Sequence, residues 1–225
     1  DMEEAMRKAG IPLFSLESRT PVKDFDLLGV TLQYEMSYTN ILSALDLAGI
    51  PLRAKDRTEG PFVICGGPCA FNPEPLAPFV DFFVLGDGEE ATLQTIETYR
   101  AWRASGKPRA EYLRMVSAIQ GVYVPSFYDV TYNPDGTVSG ITPKNGAPSV
   151  VKKAMIADLD AATYPETLVV PYGEIIHNRI MLEIFRGCTR GCRFCQAGMI
   201  YRPVRERSKD HLMDLARSLV ASTGY

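Results

Sequence analysis

Asp81-Phe82-Phe83-Val84-Leu85-Gly86-Asp87-Gly88-Glu89-Glu90 is the stretch whose reading decides the fold. Asp81 to Leu85 is apolar after its first residue and shows no alternation, as expected of a strand buried on both faces. The glycine-bearing turn then enters a helix with Leu93, Ile96 and Tyr99 on one face and Gly106 as its stop. Just upstream, Phe62 to Ile64 reads as another strand, ending at Cys65-Gly66-Gly67-Pro68, and a brief helix spans Glu74 to Phe79. Further back, Phe25 to Leu32 is a near-continuous apolar run. It is followed by a helix over Ser37 to Ala48, with Ile41, Leu42, Leu45 and Ala48 sharing a face, Ser37 or Thr39 as cap and Gly49 as terminator. Asp1 to Ala9 reads as a helix stopped by Gly10, and Ile11 to Leu16 as a short strand. Strand and helix alternate through short links, which predicts a Rossmann-like, doubly wound parallel α/β layer.

In such sheets ligands sit outside the carboxyl ends of the strands. Two glycine turns lie there, Gly66-Gly67-Pro68 and Gly86-Asp87-Gly88. Glycine lets backbone approach a ligand, and the helix start after Gly88 offers free amide donors. The same residues also serve as plain tight turns between strand and helix.

Downstream, Arg109 to Ile119 reads as a helix. Gly121 to Thr142 changes character: Tyr128, Val130 and Tyr132 alternate with polar residues, Asn133-Pro134-Asp135-Gly136 makes a turn, and Val138 to Ile141 returns. That is a β-hairpin. Asp158 to Pro171 reads as an extended linker. An apolar run, Ile180 to Phe185, reads as a strand that feeds Gly187-Cys188-Thr189-Arg190-Gly191-Cys192-Arg193-Phe194-Cys195. Ser208 caps a final helix bearing Leu212, Leu215, Ala216 and Leu219 on one side, with His211 in its first turn read as surface.

The cysteine stretch places three thiols at C-x3-C-x2-C. Such short, uneven spacing suits a corner of an iron–sulfur cluster better than a zinc tetrahedron, which favours paired C-x2-C units. Three ligands for a four-iron cube leave one iron open to a small molecule. Between Arg186 and Lys209 lie six arginines, Arg186, Arg190, Arg193, Arg202, Arg205 and Arg207, against one acid, Glu206. They offset thiolate charge, face solvent, or contact an anion such as RNA phosphate. Cys65 and Cys69 repeat the C-x3-C spacing without further ligands nearby, and read as a buried thiol and a turn thiol.

Length and composition set outer bounds. The chain has 225 residues and a net charge of -3, against its being a nucleic-acid coat or membrane-surface protein. Five cysteines, three of them clustered, fit metal ligation in a reducing compartment rather than a disulfide framework. No run approaches the ~20 apolar residues of a membrane span, so the expected location is cytoplasmic. The ends, Asp1 without an initiator Met and Thr223-Gly224-Tyr225 just after one helix, read as those of a piece of a longer protein.

With Phe194 just before its last cysteine, the Cys188 to Cys195 stretch resembles the hallmark of the radical S-adenosylmethionine (SAM) superfamily. The resemblance implies that Cys188, Cys192 and Cys195 ligate a 4Fe-4S cluster. The open iron would chelate S-adenosylmethionine for reductive cleavage, with Phe194 beside the cofactor. A reductant such as flavodoxin or ferredoxin is implied as partner. The order GG-P, short proline-containing helix, G-D-G-E-E resembles the cobalamin-binding domain that precedes the radical barrel in a subgroup of that superfamily. The resemblance is particularly close to an uncharacterised family of cobalamin-domain radical proteins, over nearly the whole chain. That resemblance implies contacts from Gly66, Gly67, Gly86, Asp87, Gly88 and Glu89 to the nucleotide tail of cobalamin. The chain departs from it in lacking D-x-H-x-x-G, its histidines being His177 and His211, and in having Thr31-Leu32-Gln33 where Ser-x-Leu stands. The implied organisation is a cobalamin-binding-like domain over 1–107 lacking its first strand, a hairpin and linker region over 108–172, and the first βα unit of a radical SAM (β/α) barrel over 173–225. On this reading the rest of the barrel lies beyond Tyr225 and the piece alone has no turnover. The competing reading is a non-catalytic module in which the cysteines hold zinc and the arginines hold RNA.

Overall fold

Three of the apolar runs form parallel strands in a computed structural model that describes residues 2–225: β1 (Leu27–Thr31), β2 (Phe62–Gly66) and β3 (Phe82–Val84). Alternate residues of each strand point to opposite faces, and each face acquires its own core. Val63, Cys65 and Phe83 pack with Tyr38, Ile41 and Leu45 of α2 (Tyr38–Leu47) and with Cys69, Ala70 and Leu76 of two 3-10 turns. Phe62, Phe82 and Val84 pack with Ala91 and Tyr99 of α3 (Gly88–Ser105) and with Tyr112 and Val116 of α4 (Arg109–Val116). The Tyr112 ring lies 4.4 Å from Phe62 and 5.5 Å from Tyr99, so helix and sheet are joined through aromatic contacts.

β4 (Val122–Tyr123) joins the same sheet antiparallel to β3, and the spatial order is β1-β2-β3-β4. The reversal of strand order that defines a doubly wound sheet is not found among the described residues. The fold is a mixed α/β sheet of four strands. Its last strand runs the other way because two helices, α3 and α4, lie between β3 and β4. One helix would return the chain to the start of the sheet; the second carries it back to the far end.

Other differences from the sequence reading have local causes. Leu93 is 63 % exposed, and the buried stripe of α3 is Ala91, Thr95 and Tyr99 at spacing four. The region read as a brief helix over Glu74 to Phe79 holds instead a 3-10 turn, Glu74–Leu76, and another 3-10 turn, Pro68–Phe71, precedes it. Pro73, Pro75 and Pro78 lack the N–H groups that a continuous helix needs. Ile11 to Leu16 forms only an isolated bridge, Phe14 to Pro21, while α1 (Met2–Ala9) forms as read; Asp1 lies outside the described residues. The hairpin is present as β5 (Tyr128–Tyr132) and β6 (Val138–Pro143), turning at Gly136 with φ +83°. Past the hairpin, Ala154 bridges to Gly86: its N–H donates to the Leu85 carbonyl at 2.8 Å, and its carbonyl accepts from Asp87 N–H at 2.9 Å.

The chain divides into two compact units, Asp1–Ala154 and Met155–Tyr225. In the second, β7 (Phe185–Arg186) pairs antiparallel with β8 (Arg205–Glu206), α5 (Ala197–Ile200) lies between them, and α6 (Lys209–Thr223) follows. The strand expected over Ile180 to Phe185 is therefore a two-residue ladder. Its partner in this unit returns through a loop, which makes the pair antiparallel, and no parallel barrel pair stands among the described residues of the unit. Ser208 caps α6 by accepting from His211 N–H, and Leu215 and Leu219 are buried. His211 is half-buried with Nε2 shielded from solvent, where a surface position was expected. The 158–171 stretch has no helix or strand, yet Leu159 is buried and the Asp160 carboxylate accepts from Ser208 N–H at 2.9 Å. No helix among the described residues is long and apolar enough to cross a membrane.

At the foot of the sheet Asp81 is buried with donors from three residues. Arg57 reaches its Oδ2 at 3.0 Å, Arg109 its Oδ1 at 3.1 Å, and Val63 N–H its Oδ2 at 2.8 Å. Removing the carboxylate leaves the enclosed Arg57 charge uncompensated, so Asp81→Ala is expected to cost about 3–5 kcal/mol in urea unfolding of the protein. A loss below about 1 kcal/mol, the range of exposed ion pairs, would refute this role for the cluster.

Candidate functional site

The cysteine loop spans residues 187 to 204 between β7 and β8. Its neck is tight. Gly187 has φ +98°, and a Cβ there would lie 2.6 Å from the Pro203 carbonyl oxygen and 2.8 Å from that of Tyr201. Only glycine permits this approach without displacing backbone. Arg202 crosses the neck: its Nε donates to the Cys188 carbonyl at 3.3 Å and its Nη2 to the Arg190 carbonyl at 2.9 Å. Within the loop, Arg190 N–H points at the Cys188 sulfur at 3.4 Å, and Cys195 N–H closes a turn onto the Cys192 carbonyl at 3.1 Å.

All three cysteines are free thiols; Cys188 and Cys195 are half-buried and Cys192 is exposed. Phe194 is 93 % exposed. Among the described residues, no group of three or more His, Cys, Asp or Glu side chains stands close enough together to hold a metal ion. The donor chemistry nevertheless suits an iron–sulfur cluster: three unpaired thiols within eight residues, one already meeting a backbone N–H at its sulfur.

Four of the six arginines read as a basic patch have structural partners. Arg186 makes a two-point contact with Glu183, at 2.7 and 3.1 Å, and Arg207 reaches the same carboxylate at 3.2 Å. Arg207 also donates to the Leu159 carbonyl and lies 4.9 Å from the Tyr164 ring centroid. Arg205 donates to the Ile156 carbonyl at 2.7 Å, and Arg202 holds the loop. Arg190 and Arg193 are the two whose side chains are exposed. Burial pushes the Glu183 carboxyl up, but Arg186 and Arg207 outweigh it and hold the group below its ordinary range.

The glycine turns line a cleft of about 490 Å³ at the carboxyl ends of β1, β2 and β3. Gly66, Gly67, Gly86 and Gly88 are brought together there, with Thr31 and Thr92. Asp87 and Glu89 stand at the start of α3 and are not part of its lining. Packing accounts for two of the glycines. A Cβ on Gly67 would meet Thr31 Cγ2 at 2.9 Å, and one on Gly86 would lie 2.1 Å from the Ala154 carbonyl oxygen. No histidine lines the cleft. Cys65 and Cys69 both lie in the core, and burial pushes the Cys65 thiol up to about 12, which removes it from thiolate chemistry.

A mixed α/β sheet module is followed in the same chain by a loop that carries three free thiols. Residues 1–125 match the family described as radical SAM proteins, N-terminal, and the chain belongs to that family. An uncharacterized protein of Methanocaldococcus jannaschii is 28 % identical over 214 residues, covering 93 % of this chain and 38 % of that protein. The chain thus spans well under half the length of that relative. Membership of the family implies S-adenosylmethionine and a 4Fe-4S cluster in general; it does not extend to cobalamin.

Glu183 provides a pH test of the second unit. Its folded value lies below the ordinary 4.5, so the stability it contributes is present above about pH 4.5 and is lost as pH falls through the lower folded value. Glu183→Gln should remove that acid-dependent loss, read as hydrogen exchange at α6 amides between neutral and acid pH. An unchanged acid profile in the variant would rule out the carboxylate as its source.

Proposed function

We propose that the chain carries the cluster-binding loop of a radical SAM enzyme, with Cys188, Cys192 and Cys195 each holding one iron of a 4Fe-4S cluster. The observation that carries this reading is the loop itself: three free thiols on a segment pinned at its neck, in a chain whose first 125 residues belong to the radical SAM family. When bound, the cluster supplies an electron to S-adenosylmethionine at the iron that lacks a protein ligand. The residues of this chain do the holding. Cys188 lies in the arc fixed by Arg202, and Cys192 and Cys195 flank the exposed turn at Arg193 and Phe194. Bringing the three sulfurs to one centre requires the exposed 191–194 segment to close on the metal.

Phe194, exposed in this loop, would stand beside the bound cofactor. A one-electron donor of flavodoxin or ferredoxin type completes the system. This reading does not need cobalamin: the close approach at Gly86 is made by the Ala154 backbone.

Anaerobic reconstitution of the whole protein with iron and sulfide tests the reading. The expected result is a broad visible absorption band that dithionite bleaches, accompanied by acid-labile sulfide. Cys192→Ala should lose the band, since two remaining thiols do not hold the cube. A colourless product with stoichiometric zinc, or a band that survives Cys192→Ala, would overturn the assignment.

A further inference from the structure

Arg202 is separated by six residues from the last cysteine, yet its guanidinium returns to the first arc of the loop. Two of its nitrogens donate to two carbonyls, those of Cys188 and Arg190, at 3.3 and 2.9 Å. Helix α5 lies between Cys195 and Arg202, so the side chain ties the far end of the loop to its beginning. Gly187 reinforces the same closure, since its α-carbon lies against the backbone of Tyr201, Pro203 and Val204 where no side chain fits. The two carbonyls belong to the residue that bears the first thiol and to the residue whose N–H meets that thiol's sulfur. A rigid, planar donor fork is the side chain suited to fixing two acceptors at once.

We infer that Arg202 is a positioning residue for the cysteine loop, fixing the Cys188 to Arg190 arc so that the first thiol stands at a set place when the metal group is loaded. The inference rests on the reading of Cys188, Cys192 and Cys195 as ligands. Arg202 touches neither metal nor cosubstrate in this role; it acts through the backbone it holds. Groups that orient metal ligands in this way matter nearly as much as the ligands themselves. The same account gives the other arginines a different task. Arg207 secures the Leu159 carbonyl and Glu183, which lie outside the loop, so its loss should unsettle the unit without singling out the thiols, while Arg205 joins the Ile156 carbonyl to that of Pro203 at the far end of the neck.

The test compares the whole protein with Arg202→Ala and Arg202→Lys, first without metal and then after anaerobic loading with iron and sulfide. Without metal, hydrogen exchange of peptides covering 187–195 should speed up in Arg202→Ala while peptides of β2, β3 and α6 keep the wild-type rate, which also establishes that the variant folds. After loading, iron loss to a chelator should be roughly tenfold faster in Arg202→Ala, the scale for groups that support metal ligands. Arg202→Lys, with a single ammonium in place of the fork, should fall between the two. Wild-type exchange and wild-type iron retention in both variants would overturn the positioning role. If the wild-type protein itself takes up no iron, the ligand reading fails; if it loads and Arg202→Ala holds iron equally well, only the present inference fails.

Discussion

A carboxylate enclosed at the foot of β3 organises the first unit. Asp81 accepts from Arg57, Arg109 and the Val63 backbone, and so ties the segment before β2, the central strand itself and the first turn of α4 to one point. Arg57 completes its own set with the carbonyls of Pro51, Leu52 and Phe79. Arg109 lies 3.6 Å from the Phe62 ring centroid, which joins the polar cluster to the aromatic core. Ion pairs of this kind add little net stability over well-packed apolar groups, but leaving one member alone is costly. The consequence is selectivity: a packing that separates α4 from the start of β3 strands a charge away from water.

How much of this was legible depended on the range of the interaction. The alternation of strands and helices from β1 to α3 could be read because apolar runs and glycine stops are local. Gly106 ends α3 in the left-handed conformation, and Ser208 caps α6, both as their positions announce. The Asp81 cluster could not be read, since its members lie 24 and 28 residues away along the chain and each looks like an ordinary surface charge. The stripe on α3 was misplaced for a related reason. Leu93 draws attention by its hydrophobicity, whereas the close approach to the sheet selects the smaller Ala91 and Thr95. The direction of β4 was hidden as well, because it depends on two helices rather than one intervening before the chain returns.

The candidate site divides along the same line. Three cysteines at short spacing stand out in any reading of the chain, and the structure places them on one loop. The arginines around them were harder to interpret. Sequence shows only a surplus of positive charge, while the structure assigns Arg186 and Arg207 to Glu183, Arg205 to Ile156 and Arg202 to the loop carbonyls. Spacing offered no signal for this, because the acceptors are mostly backbone oxygens, and these carry no residue identity. The glycine turns show the reverse case. Their pattern announces close approach, and at Gly86 the approaching group is the backbone of Ala154.

That approach fixes where the molecule can be divided. Ala154 satisfies the Leu85 carbonyl and the Asp87 amide at the rim of the central sheet, eleven residues after the hairpin ends at Pro143. A shortened version stopping at the hairpin would leave both groups without these partners, an invitation to sticky pairing between copies. Anyone wishing to isolate the amino-terminal half should therefore keep the stretch through residue 154 and place the cut beyond it.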